Sequence, residues 1–275
     1  MRPIQSWILT IALLCGLGGI LQAQAPAKAG GAGDLMIAPT RVVFEGRKRT
    51  AEVSLSNTGT ARATFRVSLI RMVMDENGGF SEKPLDPGAE NLQSLFRFSP
   101  REVTLEPQET QLIRIQVRKP ADLPEGEYRL HMVFRGVPPA EEPAPLKAEA
   151  PKELSINLRP IYGIAIPLIV RHGETSAKAT ITDLAFDAKA KTLQFKLNRS
   201  GNQSIYGDLQ ATRLEANGKP TVLSQANGLA VYTPNASRRV ILPVNQALAT
   251  GDRVRVTYFL PDGGALQAEA ILTLP

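Results

Sequence analysis

Leu154 to Val170 reads LSINLRPIYGIAIPLIV, and its apolar even-numbered positions, Leu154, Ile156, Leu158, Tyr162, Ile164, Ile166 and Leu168, make it the longest alternating stretch of the chain. A period of two puts successive side chains on opposite faces of a strand, so the stretch predicts one long strand. Arg171-His172-Gly173 ends it, and a domain boundary is expected there.

The same period runs through the sequence before it. Val53 and Leu55, then Phe65, Val67 and Leu69, then Leu112 with Ile113, Ile115 and Val117, and then Tyr128, Leu130, Met132 and Phe134 carry it. Half-buried strands of antiparallel sheets read this way. Turn chemistry separates the runs at Asn57-Thr58-Gly59, Asn77-Gly78-Gly79, Asp86-Pro87-Gly88 and Leu123-Pro124-Glu125-Gly126. Short strands between such turns predict a β-sandwich, and no segment carries a helical period. From Val137 to Pro151 the chain turns rich in Pro, Ala and Glu and reads as a loop.

A second set of strand patterns follows the boundary: Leu193, Phe195 and Leu197, then Leu209 and Ala211, then Val240 to Pro243. Arg253 to Leu260 and Ala265 to Leu274 form an expected hairpin around Pro261-Asp262-Gly263-Gly264. The second half is therefore expected to be another sandwich.

At the other end, Arg2 precedes an uncharged apolar run from Trp7 to Leu21, followed by Ala23-Gln24-Ala25. A charge, an apolar run and a small-x-small site make residues 1–25 a cleaved signal peptide, with cutting after Ala23, Ala25 or Ala27. The run is shorter than the roughly 20 residues a spanning helix needs. Residues 26–33 have too little apolar bulk to fold and read as a flexible leader. The expected organisation is a signal peptide over 1–25, the leader over 26–33, an N-terminal domain over 34–171 and a C-terminal domain over 172–275.

Cys15, the sole cysteine, lies inside the signal, so folding of the mature chain depends on core burial and not on a disulfide. The net charge is +6, and losing Arg2 leaves +5. Basic residues alternate with acids and show no aromatic interleaving, which argues against nucleic-acid partners.

Enzymatic chemistry has little to work with. His131 and His172 are the two histidines, and the sequence has no HExxH, GxSxG or GxxxxGK[ST] motif. His131 falls on the odd phase of its strand and is expected to face away from the apolar side as a structural or solvated residue. His172 follows the long strand at the expected hinge and is read first as structural. Asp183, Asp187, Asp252 and Asp262 sit at strand ends and turns, where aspartate is favoured for local hydrogen bonding. No catalytic residue, metal site, cofactor or small-molecule substrate is expected.

Three stretches together resemble the periplasmic chaperones of the chaperone-usher pathway, the PapD-like family. They are Ile37-Ala38-Pro39-Thr40-Arg41-Val42-Val43-Phe44 running on to Val53-Ser54-Leu55-Ser56-Asn57, then Leu123-Pro124-Glu125-Gly126-Glu127-Tyr128-Arg129, and the long strand from Leu154 to Arg171. The Gly-Ile-Ala-Ile-Pro-Leu-Ile-Val run is closer to the branch serving archaic-type pili. The resemblance implies an all-β fold of two immunoglobulin-like β-sandwich domains joined at a hinge in an L shape.

It also implies partners and a mechanism. Pilus or fimbrial subunits of this pathway lack their last strand, and the chaperone lends its own long strand to the gap before an outer-membrane usher takes the subunit over. Leu154, Ile156 and Leu158 are the expected donor side chains, while Ile164, Ile166 and Leu168 suit the chaperone's own core. Two basic residues hold the subunit's terminal carboxylate in this family. Arg41 matches the first; the place of the second falls at Gly163 or Pro167, which leaves Arg171, or else Arg159, as the expected substitute. The resemblance leaves open whether the free protein caps itself as a dimer.

Two other functions fit a secreted sandwich pair. A pilus subunit or adhesin needs an N-terminal extension of alternating bulky residues, which residues 26–33 lack. A ligand- or carbohydrate-binding protein would be expected to show an exposed aromatic cluster, and aromatics make up 5% of the chain.

Overall fold

The computed structural model describes residues 34–84, 90–138, 161–215 and 219–275. The expected signal peptide, leader, Asp86-Pro87-Gly88 turn and donor residues Leu154, Ile156 and Leu158 lie outside them, as does Arg159.

The first part of the chain forms β1 (Leu35–Ala38), β2 (Val42–Phe44), β3 (Thr50–Asn57), β4 (Ala63–Met74), β5 (Phe80–Lys83), the short helix α1 (Glu90–Ser94), β6 (Phe96–Ser99), β7 (Glu102–Leu105), β8 (Thr110–Val117), β9 (Gly126–Val137) and β10 (Gly163–His172). One sheet has the order β1-β3-β8-β6; the other has β2-β10-β9-β4-β5, with β7 also on β4. Their facing sides enclose Val53, Leu55, Phe65, Ile113, Ile115, Leu130, Met132 and Phe134, all at most 1% exposed. Burying such a side chain is worth about 1.5–3 kcal/mol, and alternation delivers every second residue to this layer. Leu112, counted with that pattern, instead lies on the outer face and is 42% exposed.

The rest forms β11 (Ala177–Asp187), β12 (Thr192–Gly201), β13 (Ile205–Leu214), β14 (Pro220–Val231), β15 (Ser237–Pro243), β16 (Arg253–Phe259) and β17 (Leu266–Thr273). These make a sheet of order β11-β12-β15 packed on one of order β14-β13-β16-β17. The β16–β17 hairpin forms where the sequence placed it, with Leu260 N–H donating to the Ala265 carbonyl across the turn. The turn aspartates serve their loops: Asp187 Oδ1 accepts from Ala190 N–H and Asp252 Oδ2 from Ala249 N–H. The described residues are thus all-β apart from one short helix, in two sandwiches.

Strand β10 is covered on both faces from Leu168 to Val170. Ile166, Leu168 and Val170 point into the first core, with Ile164 packed against its edge. Ile169 is fully buried among the residues of the second core, and Met74, at the end of β4, joins it there. The β4–β5 hairpin reaches the second sandwich as well. Asn77 N–H and Gly79 N–H both donate to Asp75 Oδ1 at 2.8 Å, shaping the tip. Glu76 carbonyl then accepts from Arg239 N–H at 2.6 Å, and Met74 carbonyl from Asn235 Nδ2 at 2.8 Å. At Gly78, φ is +87° and an added Cβ would lie 2.2 Å from Arg238 Nε, so both conformation and proximity call for glycine.

Candidate functional site

Backbone parity along β10 defines an unpaired edge. Gly136 N–H donates to the Tyr162 carbonyl at 3.1 Å, and the antiparallel register continues with Gly163 opposite Arg135 and Ile164 opposite Phe134. In such a ladder both polar groups of a residue face the same neighbour, and successive residues alternate. Even-numbered residues of β10 therefore bond to β9, while odd-numbered ones turn their N–H and C=O the other way. Strand β2 lies on that side only from Leu168, opposite Val42, to Val170, opposite Phe44, and runs parallel to β10. Among the described residues no strand covers the outward side from Gly163 to Pro167. Ile161 and Tyr162, just before it, are 55% and 56% exposed.

The opening follows from a change of sheets. Strand β1 pairs with β3 in one sheet, the chain crosses at Pro39, Thr40 and Arg41, and β2 then pairs with β10 in the other. Had β2 begun earlier, it would have occupied the row beside Gly163 to Pro167. Arg41 therefore stands at the point where the free edge ends.

Its guanidinium reaches across to the second sandwich. Nη1 donates to the Tyr232 hydroxyl at 2.8 Å, and the Arg41 Cζ lies 4.4 Å from the centre of the Tyr206 ring. Burial holds the Tyr232 phenol above its ordinary range, against the pull of Arg41 and Arg129. Burial likewise raises the Tyr258 phenol. The partners of Arg41 are thus tyrosines, and among the described residues no carboxylate pairs with it. A cavity of about 250 Å3 opens beside it, lined by Arg41, Arg171, Ser204, Tyr206, Tyr258 and Gln267 among others.

Arg171 is held differently, in the seam between the sandwiches. Its Nη1 pairs with Glu45 Oε2 at 3.0 Å and its Nε with Glu127 Oε2 at 3.3 Å, the Glu127 side chain being fully buried. Glu127 also accepts from Ser204 N–H at 3.1 Å and, through Oε1, from the Ser204 hydroxyl. Ser204 Oγ in turn accepts from Thr233 N–H at 3.1 Å. Lys119 donates to the Arg171 carbonyl at 2.6 Å. The structure therefore brings Arg41 and Arg171 to one cavity, with Arg171 already bound to two carboxylates.

Sequence reading missed Arg129, Tyr232 and the setting of His131. Arg129 Cζ lies 3.9 Å from the centre of the Tyr232 ring, and its Nε and Nη1 are buried without a hydrogen-bond partner. Burial lowers this guanidinium to about 10, although Tyr232 and Glu127 oppose the shift. His131 does face away from the first core, yet it is 4% exposed because the second sandwich covers that face. It packs edge-on against Phe80, with ring centres 5.6 Å apart. Burial, then Arg129, lowers its imidazole to about 4. One sequence sign pointed this way: Arg129, His131 and Val133 share a phase, and an apolar member among polar ones marks a face that is not simply solvated. Gly163 and Pro167, the positions available to a second basic anchor, both turn their backbone toward the open edge. Among the described residues no cluster of acidic, histidine or cysteine side chains could hold a metal.

Comparison with curated proteins gives no match. Several solved structures are similar in fold. The CupB2 chaperone of Pseudomonas aeruginosa is 16% identical over 87% of this chain and 100% of its own, with a TM-score of 0.43. The E. coli chaperone DraB is 15% identical over 88% of this chain and 96% of its own, with a TM-score of 0.42. A chain of the CsuC-CsuE chaperone-tip adhesion subunit pre-assembly complex, from the archaic chaperone-usher Csu pili of Acinetobacter baumannii, is 14% identical over 88% of this chain and 99% of its own, with a TM-score of 0.44. The model of the PapD N-terminal domain matches residues 34–171, the part that carries the open edge, and by that match the chain belongs to the family of pili and flagellar-assembly chaperones.

Proposed function

We propose that this protein is a periplasmic chaperone that captures pilus subunits by lending them a strand, and that Arg41 holds the captured chain's terminal carboxylate. The observation that carries the reading is the free edge of β10 from Gly163 to Pro167, which ends at Arg41. Main-chain pairing along such an edge supplies affinity, and alternate side chains supply fit.

The direction of the incoming strand follows from the same geometry. A chain that brings its C-terminus to Arg41 enters the row of β2 from the other end, so it runs in the direction of β2 and parallel to β10. Leu154, Ile156 and Leu158, preceding this edge in the sequence, are the side chains proposed to enter the subunit's groove. At about 1.5–3 kcal/mol for full burial of each, they contribute a substantial part of the affinity. Arg41, without a carboxylate partner among the described residues, is suited to a charge-assisted bond with the terminus. Arg171 lines the same cavity and adds positive field there, while its own hydrogen bonds go to Glu45 and Glu127.

Export through the signal-like segment would bring the chaperone to its subunits in the periplasm. With no nucleotide motif in the sequence, release falls to exchange at an outer-membrane usher, where the next subunit's strand displaces this one. The test is co-export with a secreted subunit encoded in the same gene cluster. A soluble one-to-one complex is expected; it should be lost with Ile156→Asp and weakened with Arg41→Ala while the free protein stays folded. Equal complex recovery with Arg41→Ala would overturn the anchor assignment.

A further inference from the structure

We infer that Pro167 withholds a hydrogen bond from the terminal carboxylate of the captured strand, leaving that carboxylate to Arg41 and keeping the complex readily released. The inference rests on the strand-capture reading above and assigns the register within it.

The parity of β10 fixes which groups an incoming strand can use. Gly163, Ala165 and Pro167 face the free edge, and proline has no N–H. The edge therefore offers N–H donors and carbonyl acceptors at Gly163 and Ala165, while the β2 register assigns the Pro167 carbonyl to Val42 N–H. Facing this way, Pro167 takes no bond from the β9 ladder, which is where proline is tolerated in a sheet.

In a parallel pair a residue donates to the carbonyl of the residue before its opposite number and accepts from the N–H of the one after it. Ile169 does this with Val42 and Phe44, its opposite number being Val43. Applied one row further along, the Ala165 carbonyl accepts from the incoming residue opposite Ile166. The carbonyl of that same residue is the one to which a residue at 167 would donate, if it had a proton to give.

The incoming chain cannot extend much further. The position opposite Pro167 is already taken by Arg41, since Val42 stands opposite Leu168. The last residue of the captured strand therefore lies opposite Ile166: its N–H reaches Ala165, and its carboxylate sits beside the Arg41 end of β2 and meets a backbone without a donor. At Pro167, one of the two positions where the family resemblance would place a second cation, this chain supplies neither a cation nor an N–H.

The experiment uses the co-exported complex with the secreted subunit from the same gene cluster and measures its dissociation rate. Pro167→Ala restores the N–H, and Pro167→Val does so with a side chain that suits a strand. Each is expected to slow dissociation about tenfold, the scale of one hydrogen bond to a charged group. A stiffer or better-folded chaperone would retain any subunit longer, so a subunit shortened by its last residue serves as the control. Its carboxylate no longer reaches the position opposite Ile166, and the gain is expected to disappear. Dissociation from folded Pro167 variants that is unchanged or faster, or an equal gain with the shortened subunit, would overturn the assignment and leave strand capture standing. Failure of the unmodified protein to form any complex would remove both.

Discussion

Arg41 Nη1 and the Tyr232 hydroxyl lie 2.8 Å apart across the seam between the two sandwiches, and Arg129 covers the same tyrosine ring at 3.9 Å. One side chain of the second sandwich thus sets the position of the cation that closes the free edge of the first. On the strand-capture proposal, a site on β10 would depend on the C-terminal half of the chain for the placement of Arg41.

Replacing Tyr232 by Phe keeps the ring and its contact with Arg129 but removes the hydroxyl. The net cost to stability is expected to be about 1 kcal/mol, read by urea denaturation. Arg41 also loses its tether, so recovery of the subunit complex should fall severalfold. Undiminished recovery would show that Arg41 is positioned by Tyr206 alone.

His131 predicts an acid limit to stability. Arg129 on its own strand, Phe80 on β5, and Tyr232 and Arg238 from the second sandwich surround its cavity. Because the folded protein holds the imidazole near 4, against 6.5 in the unfolded chain, only the unfolded chain gains the proton between those values. Stability is then complete above about pH 6.5 and declines as the pH falls toward 4, by at most about 3 kcal/mol. His131→Leu should flatten this part of the stability–pH curve. An unchanged slope in the variant would place the acid sensitivity in other groups.

The sequence foretold one face of each strand better than the other. Alternation located Leu130, Met132 and Phe134 in the first core because their burial needs only the opposite sheet of the same sandwich. It could not reveal that Arg129 and His131, on the other face of β9, are covered, since Arg129 is met by Tyr232 and Thr233, roughly a hundred residues later in the chain, and His131 by Phe80 on β5. Arg41 was legible through its family motif, whereas its tyrosine partners carry no local signal. The free edge was legible only in part: Pro167 is plain in the sequence, but which way its nitrogen faces depends on the β9 register.

Gly78 predicts how firmly the hairpin between β4 and β5 holds the second sandwich. Gly78→Ala introduces a Cβ at φ +87° and drives it into the Arg238 guanidinium. Arg238 is a flexible side chain and will move, so the loss should be about 1–3 kcal/mol, the range for backbone strain of this kind. Calorimetry should show a lower midpoint. A variant as stable as the parent would mean that the tip detaches easily and that the contacts of Glu76 and Met74 contribute little.

Glu127 offers the sharpest test of how the sandwiches are coupled. Its buried carboxylate bonds Arg171 on β10 and both donors of Ser204 at the start of the second sandwich's β13 region. Glu127→Ala would leave the Ser204 groups unpaired and Arg171 with Glu45 alone, a loss of about 3 kcal/mol, at the lower end for breaking a buried pair because Glu45 remains. Glu127→Gln keeps an acceptor but loses the charge and should fall between the two. The form of the transition is as informative as its midpoint. With this seam broken, the polar ties left are the β4–β5 hairpin and the contacts of Arg41 and Arg129 with Tyr232 and Thr233, and the single unfolding transition expected of the parent should split in calorimetry. A transition that moves down whole would instead show that these ties and the apolar packing of Ile169 and Met74 suffice to keep the two sandwiches unfolding together.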